Sequence, residues 1–73
     1  MDYREYIVIN PNIRFGKPCV KGTRISVSDV LGWMASGMTP EEIMNDFPQL
    51  KQNDILACLA YSADKEHKAK VII

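Results

Sequence analysis

Between Ser26 and Asp54 the chain carries so many helix starts and stops that only short helices fit there. Ser26 is followed three residues on by Asp29, the spacing at which a hydroxyl and a carboxylate cap each other's backbone N–H groups. Val27, Val30, Leu31 and Met34 then recur at the three-four spacing of one helix face, and Gly37 is a natural left-handed stop. A second start follows at Thr39-Pro40-Glu41-Glu42: threonine as cap, proline at the first helical position, Glu42 closing the box. Met38 and Ile43 stand at the positions of a hydrophobic staple. This helix must end before Phe47-Pro48, because proline drives its predecessor out of the helical region. A third helix is expected from Lys51 or Gln52 to about Lys68, with Ile55, Leu56, Leu59, Ala60 and Ala63 as its apolar face. Three short helices, the last two joined by a tight turn, predict a tri-helical core of helix-turn-helix type. Structural bundles share that layout, so spacing alone leaves DNA binding and plain scaffolding both open.

Upstream the pattern changes. Tyr3 to Ile9 is aromatic and β-branched and ends at Asn10-Pro11-Asn12, which predicts a strand and a turn. Turns at Gly16-Lys17-Pro18 and Lys21-Gly22-Thr23 predict a β-hairpin. The expected fold is mainly α with a small N-terminal β element. Residues 1–73 form one domain: strand and hairpin over 1–25, three-helix core over 26–68, tail over 69–73. Lys70 to Ile73 is too short to assign, and a frayed tail and a pairing strand are both open.

A chain of 73 residues buries only about 60% of its unfolded surface, so a partner would help it. A homodimer that covers the N-terminal strand is the expectation. Tyr3, Tyr6, Trp33 and Tyr61 are candidates for that interface or for edge packing; Trp33 lies off the apolar stripe of its helix. Hydrophobic residues at 47% and charged residues at 25% suit a globule rather than a disordered segment. Cys19 and Cys58 have no metal-ligand spacing and read as buried, reduced thiols. There is no signal-peptide pattern and no apolar run long enough to span a membrane, so a cytoplasmic location is expected.

Charge is where the sequence becomes specific. Arg14 to Arg24 holds Arg14, Lys17, Lys21 and Arg24 with no acid, four of the nine cations in a chain of zero net charge. From Asp29 to Asp54 five acids face one base, Lys51. Such polarity suits a partner of opposite sign and argues against treating the whole domain as a nucleic-acid binder, which needs a net basic face. Gly16 and Gly22 read as backbone necessities at positive φ, and Thr23 as a brace for the turn. The cations then face outward as a partner- or phosphate-binding edge, with Lys17, Lys21 and Arg24 the strongest candidates.

Other chemistries fail on residue type. Five residues separate Gly16 from Gly22 where a phosphate loop has four, and Thr23-Arg24 stands where it needs Lys-Ser/Thr. His67, the sole histidine, lies in a polar helix end, and neither cysteine has a base nearby in sequence. No general acid–base pair or metal set emerges, so the reading is non-enzymatic, with no cofactor and no small-molecule substrate. Direct readout of DNA would use Lys51, Gln52 and Asn53 at the start of the third helix, where Gln and Asn can pair adenine edges. Asp46 and Asp54 count against it.

The stretches FGKPCVKGTRISVSDVL, GMTPEEIMNDFPQL and DILACLAY together resemble the domain-of-unknown-function 433 family of small bacterial and archaeal proteins. The resemblance covers roughly Ile9 to Asp64 and falls on Gly16, Lys17, Pro18, Gly22, Thr23 and Arg24, then on Thr39, Pro40, Glu41, Glu42 and Ile43. It implies a homeodomain-like or winged-helix-like fold. It also implies the antitoxin half of a toxin–antitoxin system, beside a PIN-like ribonuclease toxin, with no catalytic residue. Binding and neutralising such a toxin is the first functional expectation, and a DNA-binding transcriptional regulator, autorepressing its own promoter, is the alternative. Lys51 departs from the Thr or Ser usual in the family, weakening the cap by about 1 kcal/mol.

Overall fold

The computed structural model describes the backbone of residues 1–72 and the side chains of residues 1–66. The helices follow the punctuation. α1 (Val27–Ala35) opens on the reciprocal Ser26/Asp29 box, and α2 (Pro40–Asp46) on the Thr39/Glu42 box. α1 ends on Gly37 at φ +105, with Gly37 N–H donating to Met34 O and Met38 N–H to Trp33 O, the paired bonds of a Schellman stop. α3 (Gln52–Ile72) starts without a hydroxyl cap, but Asp54 supplies the acidic half of the box and accepts from the Lys51 N–H at 2.8 Å. It continues past Lys68 through Ile72, where the sequence left a frayed tail and a strand open; Ile73 and the side chain of His67 lie outside the described residues.

The N-terminal region differs from the expected strand. Tyr3–Glu5 is a 3-10 turn capped by Asp2, and only β1 (Ile7–Val8) is extended. Tertiary contacts override the β propensity of the tyrosines: the Tyr3 ring meets Tyr61 edge-on at 5.3 Å, and its hydroxyl donates to Asp64 at 2.6 Å. β1 pairs antiparallel with β2 (Cys19–Val20), Ile7 opposite Val20 and Val8 opposite Cys19. The expected hairpin is present on the other side of β2. Val20 N–H donates to Ile25 O, Val27 N–H to Pro18 O, and Cys19 bridges Ser26. Lys21 to Arg24 form its tip.

The core joins this ribbon to the helices. Val20, Ile25, Val27, Val30, Ile43, Leu50, Ile55, Ala57 and Cys58 are buried, and Leu31, Met34 and Met38 pack against them. The predicted face of α3 needs correction. Ile55, Ala57 and Cys58 face inward, whereas Leu56 and Leu59 are 44% and 40% exposed and Ala63 is also outside. α3 carries apolar residues on both sides, and the small Ala57 and Cys58 admit neighbouring elements more closely than leucines would. Size misleads where fit decides.

Candidate functional site

The hairpin tip is built as its residues dictate. Gly22 sits at φ +79, where a Cβ is disfavoured. Thr23 Oγ1 donates to Val20 O at 2.9 Å and accepts from the Ile25 N–H at 3.0 Å, bracing both arms. Lys21 and Arg24 flank this tip and Lys17 precedes the first arm; all three side chains are exposed. None forms an ion pair among the described residues. The ribbon therefore carries three exposed cations on a braced backbone.

Arg14 is employed differently. Its Nη1 donates to the Arg24 carbonyl at 2.7 Å and to Asp29 Oδ2 at 3.0 Å. That carboxylate also accepts from the Ser26 N–H, so Arg14 ties the loop, the ribbon and the α1 cap together. Partial burial pushes the Asp29 carboxyl up, but the bonds from Ser26 and Arg14 and the charge of Arg14 outweigh it, and the group lies below its ordinary value. Arg14 thus leaves the set of outward cations and becomes the brace that positions them.

The loop before Lys17 holds the feature that sequence reasoning missed. Arg14, Phe15 and Gly16 are consecutively left-handed, at φ 51, 58 and 82. Only the glycine was expected there, and each residue bearing a Cβ costs about 1–2 kcal/mol in that region. Lys17 returns to extended backbone, and Pro18 after it is half-buried at the foot of the ribbon. The Phe15 ring is fully in solvent, at 102% relative exposure. No residue type signals this in advance, since Arg and Phe both disfavour left-handed backbone.

Lys51, Gln52 and Asn53 lie exposed at the start of α3. Asn53 donates to the Tyr6 hydroxyl at 3.4 Å, and the nearby Asp54 carboxylate is engaged with the Lys51 N–H. Tyr6 touches both the ribbon and this helix start: its carbonyl accepts from the Lys21 N–H at 2.8 Å and its hydroxyl from Asn53. The aromatic candidates are half-buried: Trp33 stacks on Phe47 at 4.3 Å, Tyr3 meets Tyr61, and Tyr6 touches Asn53. Cys19 and Cys58 are buried and free, and burial, reinforced by the charge of Asp54, pushes the Cys58 thiol up to about 12. Among the described residues no three His, Cys, Asp or Glu side chains gather as a metal set, and no helix is long and apolar enough to cross a membrane.

The family profile described as "Protein of unknown function (DUF433)" matches residues 7–62, which include the ribbon, both capping boxes and most of α3 as far as Ser62. The chain belongs to the DUF433 family. A DUF433 member protein from Anabaena variabilis, known from a crystal structure, superposes with a TM-score of 0.79 at 24% identity over 85% of this chain and 61% of that one. The fold is therefore shared. The uncharacterized protein y4eO of Sinorhizobium fredii is 34% identical over 59 residues, 81% of this chain. This DUF433 chain spans about a quarter of that relative's length, 27%.

Proposed function

We propose that this DUF433 protein is a non-enzymatic docking module that binds and neutralises an acidic partner, as an antitoxin does. The observation that carries the reading is the basic ribbon: Lys17, Lys21 and Arg24 exposed on a braced hairpin, with Arg14 spent on holding it. A PIN-like ribonuclease fits as the partner, because a metal-binding carboxylate cluster is the surface such a ribbon would occlude. Charge complementarity of this kind raises association rate and selects partners. The test is titration of the chain into a PIN-like nuclease from the same locus while RNA cleavage is followed. Cleavage falling to zero at a fixed stoichiometry supports the reading, and undiminished cleavage at excess protein rejects it.

The second reading, a DNA-binding regulator, is favoured by the exposure of Lys51, Gln52 and Asn53 at the start of α3. α2, the Phe47–Leu50 turn and α3 follow one another as a helix-turn-helix does. Its test is titration with the chain's own upstream DNA at two salt concentrations. If three phosphates were neutralised, affinity would fall about 40-fold between roughly 50 and 200 mM salt.

A further inference from the structure

We infer that Phe15 is the anchor of this docking surface, a ring presented to enter an apolar pocket rimmed by carboxylates on a partner protein. The inference rests on the docking reading above and adds the residue that would occupy the centre of the contact. Its basis is a combination that folding alone does not explain. Arg14, Phe15 and Gly16 are all left-handed, and the ring they project is 102% exposed. Left-handed backbone is disfavoured for any residue with a Cβ, and persists where surroundings impose it. Those surroundings are visible: Gly16 N–H donates to Ile13 O, Lys17 N–H to Arg14 O, and the Arg14 guanidinium is held by Arg24 O and Asp29. The chain holds a strained turn rigidly, yet the ring returns no burial to the core.

An exposed aromatic on a hydrogen-bonded turn is the kind of residue that interface hot spots use, and a rigid backbone lowers the entropy lost on binding. Lys17 is two residues from Phe15, and Arg24, whose carbonyl holds Arg14, brings the ribbon tip to the same loop. Base stacking on single-stranded nucleic acid is the competing use of an exposed phenyl ring. It fits less well with zero net charge and with one of the four cations neutralised by Asp29.

The experiment compares wild type, Phe15→Ala, Phe15→Gly and Lys17/Lys21/Arg24→Ala. The probes are the PIN-like nuclease of the same locus and a twelve-residue oligothymidylate, with melting temperatures measured on each variant. Phe15→Ala is expected to weaken nuclease binding about tenfold or more with its salt dependence retained. Its melting temperature should stay at the wild-type value, and that of Phe15→Gly should equal or exceed it. Nuclease binding within about twofold of wild type for Phe15→Ala, with binding lost in the triple variant, overturns the anchor and leaves the docking reading standing. A nuclease that ignores the wild-type chain overturns both. Oligothymidylate binding that disappears in Phe15→Ala reassigns the ring to base stacking, and a clear fall in melting temperature shows that the ring serves the fold; either overturns the inference.

Discussion

Replacing Arg14 by Met tests the brace while keeping much of the side-chain stem. The guanidinium makes two bonds, 2.7 Å to the Arg24 carbonyl and 3.0 Å to Asp29, and the side chains of the pair are each 31% exposed. A charge-assisted bond contributes about 1.5–3 kcal/mol when buried and an exposed ion pair about 0–1, so partial exposure places the loss near 1.5 kcal/mol. For a chain of this size that lowers the melting temperature by roughly 10 °C. Thermal melts and urea titrations of Arg14→Met, Asp29→Asn and the double variant would measure it, with coupling of about 0.5–1 kcal/mol expected between the two sites. The pH dependence has a definite sign. Asp29 is held below its unfolded value of 3.8, so its contribution is full above that pH and fades as pH falls through the lower folded value. The deficit of Arg14→Met should therefore shrink in acid. A loss under about 0.3 kcal/mol at neutral pH, unchanged in acid, would refute the brace.

Two glycines should respond in opposite directions. Gly22→Ala meets no atom within 4 Å but sits at φ +79, so only backbone strain acts, costing about 1 kcal/mol; Gly32→Ala, exposed within α1, should gain about 0.5–1 kcal/mol, both read from urea midpoints. Cys58, fully buried with its thiol pushed up to about 12, should resist alkylation at neutral pH and react at the ordinary rate in denaturant, measured by mass spectrometry. Ile43→Ala should cost about 3 kcal/mol, a large share of the stability of a chain this small, read as a marked fall in melting temperature by circular dichroism.

The helices and the ribbon were legible because local chemistry determines them. Two capping boxes, Gly37 and the Phe47-Pro48 stop each act within one turn of the chain, and Gly22 and Thr23 fix the hairpin in the same way. What was not legible depends on distant contacts. The 3-10 turn at Tyr3 is held by Tyr61 and Asp64 in addition to its local Asp2 cap, and the inward face of α3 depends on how closely neighbours approach Ala57 and Cys58. Lys51 lacks the hydroxyl of a cap, but Asp54 at the box spacing restores half of it, a signal present in the sequence. Within the site, the conversion of Arg14 from outward cation to brace required knowing that Asp29 lies opposite it. The left-handed pair at Arg14 and Phe15 had no signal in the sequence.

In the proposed docking function the exposed cations of the ribbon carry partner recognition without contributing to the fold. Its most direct test is the affinity of the Lys17/Lys21/Arg24→Ala variant for a PIN-like nuclease, the proposed partner, measured by calorimetry beside wild type at equal melting temperature. Binding weakened by about 100-fold or lost is the expected result, because several complementary charges are removed together. Wild-type affinity in the folded triple variant would contradict it.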